Sequence, residues 1–167
     1  NWELRQAIAS QLNIDDDQVL VGPGIDGILG HLAREFLDPG DIAVTSLGGY
    51  PTIEYAIAGV GGTSVKAPYK HDAPDLNTLA DLAKQHRAKL VYLANPDNPS
   101  GSWHNDNAVA DFISNVPSNT VIVLDEAYAE FAPTRPDSAK LLSDPRVIRL
   151  RTFSKLYGLA GMRVAYA

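Results

Sequence analysis

The sequence contains no cysteine in its 167 residues, which excludes disulfides, thiolate nucleophiles and cysteine-ligated metals. Positive charge is scarce. Fourteen basic residues stand against 20 acidic ones, a formal net charge of -6 that argues against a broad nucleic-acid or acidic-membrane surface. Long apolar runs are missing as well: none reaches the roughly 18 residues a bilayer-spanning helix needs. No basic-then-apolar leader opens the chain. What these absences leave is the expectation of a cytoplasmic globular protein. A hydrophobic content of 45% at a one-domain length allows a sizeable core of α/β or α+β type.

Both ends fall inside elements. The chain starts within an amphipathic pattern (Trp2, Leu4, Ile8, Leu12) and stops within a strand-like run, RVAYA, so it is expected to be a piece of a longer protein. Between them, short apolar runs alternate with helical periodicity. QVLV, IAVTSL, TSVKAPY, KLVYLA, TVIVLD, VIRLRTF and RVAYA read as seven strands. Helical spacing marks Ile28 to Leu37, about Pro51 to Ala58, Leu76 to Ala83 and Val109 to Val116. Strands separated by helices predict an α/β fold, a mostly parallel seven-stranded sheet covered on both faces as one domain over residues 1–167.

VGPGIDGIL matches the pattern G-x-G-x-x-G through Gly22, Gly24 and Gly27, after a short β-branched run and before a helix. That context invites a dinucleotide reading. Such a site also requires an acidic residue at the end of the second strand to hold the ribose hydroxyls. Here Leu47 is followed by Gly48, Gly49 and Tyr50, with no carboxylate. What remains is a turn whose free N–H groups and helix dipole suit an anion.

Open α/β sheets bind ligands beyond the carboxyl ends of their strands. Five of the seven runs end in Gly24, Ile25 and Asp26, in Tyr50, in Asn98, in Asp125 with Tyr128, and in Thr152, Ser154 and Lys155, with Arg163 eight residues on. NPDNPSG, DEAYAEF and TFSKLYGLAGMR, in that order and spacing, resemble the pyridoxal-phosphate-dependent aminotransferases of fold type I. GPGIDG and FLDPGD are similar to the histidinol-phosphate aminotransferase-like branch, and the resemblance covers essentially the whole chain.

The resemblance implies a three-layer α/β/α large domain that binds pyridoxal 5'-phosphate. Lys155 would form the Schiff base with the cofactor aldehyde and then move the proton between Cα and C4′ as general acid and base, a task for a lysine whose pKa neighbouring cations depress. Asp125 would pair with the pyridine nitrogen and keep it protonated. Asn98 and Tyr128 would hydrogen-bond the phenolic oxygen. Arg163, Ser154 and Thr152 would bind the phosphate with the N–H groups near Gly24, Ile25 and Asp26, the planar guanidinium matching phosphate oxygens. Tyr50 would stack on the pyridine face, in competition with Tyr55.

The sequence departs from the family pattern in places. Ile25 stands where serine or alanine is frequent, Gly27 where glutamate is, and Tyr50 lacks the usual preceding proline. Ile25 still offers its N–H but no hydroxyl. His31, His71, His86 and His104 match no functional position and read as surface or packing residues, and no metal site is expected.

The family also carries an N-terminal segment and a C-terminal small domain, both absent from this chain. The full-length protein is therefore expected to be a homodimeric aminotransferase of amino-acid biosynthesis. Its substrates would be an amino acid or amino phosphate, with histidinol phosphate as a candidate donor, and a 2-oxo acid. A decarboxylase or β-lyase of the same fold, and a non-catalytic domain of that fold, stay open.

Overall fold

The computed structural model describes residues 1–134 and 144–167. Its strands are β1 (Val21–Gly22), β2 (Ile42–Ser46), β3 (Thr63–Ala67), β4 (Tyr69–Lys70), β5 (Ala73–Pro74), β6 (Leu90–Ala94), β7 (Val121–Asp125), β8 (Val147–Thr152) and β9 (Ala165–Tyr166). Its α-helices are α1 (Trp2–Leu12), α2 (Gly24–Phe36), α3 (Thr52–Gly59), α4 (Leu76–Gln85) and α5 (Asp106–Asn115).

Seven strands form one sheet in the order β1-β9-β8-β7-β6-β2-β3. The pairs from β3 through to β8 are parallel, and β9 runs antiparallel to both its neighbours, β8 and β1. The strand count and the mostly parallel sense match the sequence pattern.

Side chains alternate across the sheet, and both faces are covered, so β6 is apolar along almost its whole length and β7 up to its closing Asp125. In β6, Val91 and Leu93 face a core shared with Leu79, Ala83, Val109 and Phe112 of α4 and α5. Leu90, Tyr92 and Ala94 face the opposite core, built with Ile28, Leu29 and Leu32 of α2 and Ile53 and Ile57 of α3. Burying an Ile or Leu of this kind completely is worth about 2 kcal/mol.

Caps fix the helix starts that bury these faces. Asp75 accepts from the amides of Asn77 and Thr78 at the head of α4, and Asn105 accepts from Ala108 N–H at the head of α5. At the other end of α5, Arg146 donates to the carbonyls of Ile113, Val116 and Pro117 while paired with Asp144 at 2.6 Å.

Two local features differ from the sequence expectation. QVLV is not a four-residue strand: Asp16–Gln18 forms a 3-10 turn, and the Gln18 side chain accepts from Asp15 N–H. This leaves Val21–Gly22 as β1, extended by mutual backbone bonds between Leu20 and Ala167. TSVKAPY breaks at Pro68, after which Tyr69–Lys70 turns back onto Ala73–Pro74 as a separate hairpin. Its turn residues, His71 and Asp72, both take positive φ.

Candidate functional site

The loops after β2, β6, β7 and β8 and the first turn of α2 meet at the carboxyl rim of the sheet. Together they line one cleft enclosing about 620 Å³, its solvent-open mouth included. The lining includes Ile25, Asp26, Tyr50, Asn98, Asp125, Tyr128, Thr152, Ser154, Lys155 and Arg163. Every sequence-predicted site residue except Gly24 thus contributes to one wall or another, and Gly24 lies directly beneath Arg163. Tyr50 reaches this cleft; Tyr55, 72% exposed on α3, does not line it. None of the four histidines lines it either.

The glycine turn forms one end. No side chain caps α2, so the N–H groups of its first turn are left to the cleft. Gly24 has φ +80°, which glycine adopts without strain, and a Cβ there would lie 2.5 Å from Arg163 Nη2. The guanidinium therefore rests against the helix entrance. Arg163 itself has φ 50° and donates from Nη1 to Ala160 O at 3.0 Å.

Asp125 ends β7 at the floor, 7% exposed. Tyr92 Oη donates to its Oδ2 at 2.7 Å and Ala127 N–H to its Oδ1 at 2.9 Å. Burial pushes the Asp125 carboxyl above the usual carboxylate range and the nearby Asp26 adds to that, against the two hydrogen bonds and Lys155, which act the other way. Burial, then the charge of Asp125, pushes the Tyr92 phenol well above its ordinary value. Tyr92 also lines the cleft, and the sequence reading did not single it out.

Asn98 projects from a loop that is locked beneath it. Buried Asp97 accepts from Tyr69 Oη at 2.7 Å and from Ser100 Oγ at 2.7 Å. Asn95 donates to His104 O and accepts from His104 N–H, closing the loop neck. His104 thus serves packing, its ring bonded to Pro74 O at 2.9 Å.

Opposite, Lys155 Nζ lies 5.2 Å from the centre of the Tyr128 ring. The Thr152 hydroxyl accepts from Ser154 N–H at 3.1 Å, fixing the turn that presents Ser154 and Lys155. Thr152 therefore acts on the turn first, and any ligand shares its hydroxyl with that bond.

Under the floor is a feature the sequence reading missed. Glu126, 1% exposed, accepts from Arg149 at 2.6 and 2.9 Å and lies 3.6 Å from Arg151, which pairs with Glu130 at 2.5 Å. The network ties the end of β7 to β8. The doublet Asp125-Glu126 and the alternation Arg149-Leu150-Arg151 on a buried strand were the available signal. A second cavity, lined mainly by apolar side chains of α1, β8 and β9, lies outside the cleft. Among the described residues no group of three or more histidine or acidic side chains is disposed to hold a metal, and no helix is long and apolar enough to cross a membrane.

Comparison with known proteins gives one family. Aminotransferase class I and II matches the chain over residues 1–167. A histidinol-phosphate aminotransferase of Anaeromyxobacter sp. is 42% identical over 167 residues, covering 98% of this chain and 46% of the relative. Histidinol-phosphate aminotransferase 2 of Carboxydothermus hydrogenoformans is 37% identical over 169 residues, 99% of this chain and 46% of the relative. The crystal structure of the Sinorhizobium meliloti histidinol-phosphate aminotransferase, in complex with pyridoxal-5'-phosphate, superposes with a TM-score of 0.95 at 48% identity, covering 98% of this chain and 45% of that one. The chain spans about half the length of the relatives it matches.

Proposed function

The chain belongs to the class I and II aminotransferases, and on that premise we propose that it is the greater part of the cofactor-binding large domain of a pyridoxal-phosphate-dependent aminotransferase, which transfers an amino group between an amino acid or amino phosphate and a 2-oxo acid. The observation that carries the reading is the convergence of Lys155, Asp125, Asn98, Tyr128 and Arg163 on one cleft beside the uncapped start of α2. Residues 1–167 supply that part of the domain, and in this reading a small domain and an N-terminal segment complete the site in the whole protein.

The donor set fits this cofactor. An uncapped helix start, a guanidinium resting on a glycine at φ +80°, and the Ser154 hydroxyl make a cradle for a phosphate dianion. At the other end the floor presents a buried carboxylate already gripped by two donors, suited to a cationic ring N–H.

When bound, pyridoxal phosphate supplies an aldehyde that takes up amino groups and a protonated ring that withdraws electrons. The residues of the chain do the rest. Ile25 and Asp26 N–H, Ser154 and Arg163 anchor the phosphate, with Thr152 setting the turn. Asp125 holds the proton on the pyridine nitrogen. Asn98 and Tyr128 orient the ring through its phenolic oxygen, and Tyr50 covers a ring face. Lys155 Nζ would hold the cofactor through its aldehyde carbon, the aldehyde oxygen leaving as water; once an incoming substrate amine has displaced it, the freed amine would take and return the proton between the substrate Cα and C4′.

Histidinol phosphate as donor, the substrate in the relatives' names, and 2-oxoglutarate as the 2-oxo acid acceptor complete the proposal. So do a cytoplasmic setting and a homodimer free of nucleic acid and membrane. Leu156, Tyr157, Leu159 and Met162, all exposed in the segment between Lys155 and Arg163, are apolar surface that a second subunit would cover.

The test uses the full-length protein. Pyridoxal phosphate is added and fixed with borohydride, and the modified peptide is located by mass spectrometry. Label on Lys155 alone, with glutamate formed from histidinol phosphate and 2-oxoglutarate, is the expected result. Label elsewhere or none rejects the site. Carbon dioxide or an elimination product in place of glutamate reassigns the reaction.

A further inference from the structure

Tyr92 is the one residue of β6 whose side chain carries a polar atom, and that atom reaches the site. The phenol is 5% exposed, its ring packed in the core with Leu90, Ala94, Val123 and Leu150. A phenylalanine would fill this space without the cost of burying a hydroxyl. The hydroxyl instead donates to Asp125 Oδ2 at 2.7 Å, while Ala127 N–H serves Oδ1 at 2.9 Å. Each carboxylate oxygen thus has one protein donor, and both donors come from rigid backbone or a buried ring.

We propose that Tyr92 is a positioning residue for Asp125: its O–H fixes the plane of the carboxylate and favours its ionised form, and so sets how firmly Asp125 holds the proton on the ring nitrogen of the cofactor. This rests on the function proposed above. Three elements bring charged groups to the pair, and a fourth a backbone amide. Asp26 at the start of α2 opposes ionisation of both partners. Lys155, from the loop after β8, favours the charged Asp125. Asp97, from the loop after β6, acts on Tyr92. Ala127, after β7, supplies only its amide. Tyr92 is the buried side-chain donor among them, so removing its oxygen leaves burial and Asp26 less opposed, and the carboxyl becomes harder to ionise.

The experiment compares full-length wild type with Tyr92→Phe in three readouts: pyridoxal-phosphate dissociation constant without substrate, visible absorbance of the bound cofactor against pH, and kcat and KM across pH. Losing one hydrogen bond to a charged group is expected to weaken cofactor binding about tenfold and to move the acid limb of kcat/KM up by about one pH unit. The absorbance transition shifts with it, and KM for the amino donor stays near wild type. In an Asp125→Asn background, Tyr92→Phe should change cofactor affinity less than twofold, because no ionised carboxylate is left to favour. Wild type that binds no pyridoxal phosphate would reject the underlying function. Wild type that binds it, with Tyr92→Phe matching in affinity, spectrum and pH profile, overturns the positioning role. A variant that loses only thermal stability, its acid limb unmoved, overturns it too. If Tyr92→Phe alone gives no folded protein, the affinity change for Asp125→Asn measured with and without Tyr92→Met decides the matter: unequal changes support the coupling, equal ones refute it.

Discussion

Gly24 and Arg163 are in contact: a Cβ at Gly24 would sit 2.5 Å from Arg163 Nη2. The turn and the cation are thus one unit, and Gly24→Ala attacks both partners. The backbone pays for φ +80° with a side chain attached, about 1–3 kcal/mol, and the guanidinium must leave its position. Pyridoxal-phosphate affinity of the full-length protein should fall at least about tenfold, the scale of one lost charge-assisted contact. Equilibrium titration of the variant checks this; wild-type affinity would remove Arg163 from the anchor.

Asp125 links function and stability with opposite signs. Its folded pKa is raised, chiefly by burial, so its contribution to stability is fully present below the ordinary carboxylate range and is lost as pH rises through the raised value. Asp125→Asn should flatten that fall in the protein free of cofactor, seen as a smaller drop in Tm between pH 4 and neutrality. Turnover should drop by at least about 10²–10³-fold, as when a preorganised electrostatic partner is removed. A variant that keeps wild-type turnover would refute the role given to this carboxylate.

The Glu126–Arg149 pair is 1% and 6% exposed at its side chains. Breaking a buried pair strands a charge, at a cost of about 3–5 kcal/mol. Arg149→Met should therefore lower the urea midpoint by a large fraction of the total. Restoring neutrality with Glu126→Gln in the same chain should recover part of it, and a double mutant as unstable as the sum of the singles would contradict the coupling.

Asp144 is held below the usual carboxylate range by its hydrogen bonds from Arg146, and Asp75 likewise by Thr78 and Asn77, which outweigh its burial. Depressed carboxyls contribute stability above their unfolded pKa, about 4, and lose it as pH falls through the folded value. Unfolding free energy should decline below about pH 4, less steeply in Arg146→Ala. Stability curves from pH 2 to 6 test this, and parallel curves would dismiss the pair.

Much of the architecture was legible because both faces of the sheet are buried. KLVYLA and TVIVL can be continuous only in such a sheet, and a carboxylate closing one of these runs marks the rim. That logic locates Asp125, Asn98 and Lys155 without knowledge of the packing. It cannot see partners across strands. Tyr92 reads as one more core residue, since a sequence states that a buried hydroxyl needs an acceptor but not which strand supplies it. Glu126 and Arg149 are 23 positions apart and meet only because β7 and β8 are neighbours. The hairpin after Pro68 was hidden for a different reason: two-residue strands carry too little periodicity to show, and only the turn residues announce it.

The antiparallel seam between β1 and β9 has a consequence for the order of folding. Val21 pairs with Tyr166, so the strand entering the glycine turn is held by the strand leaving Arg163. Joining them closes a loop of nearly the entire chain, the costliest closure in the domain, and long-range pairings of this kind form slowly. The parallel centre, β6 with β7, gathers first, and pulsed hydrogen exchange should protect Val91 and Val123 before Gly22 and Ala165. On the proposed function, a chain on its way to the native state finishes the floor around Asp125 well before it can grip a phosphate, and capture of the cofactor would mark the moment the first and last strands have met.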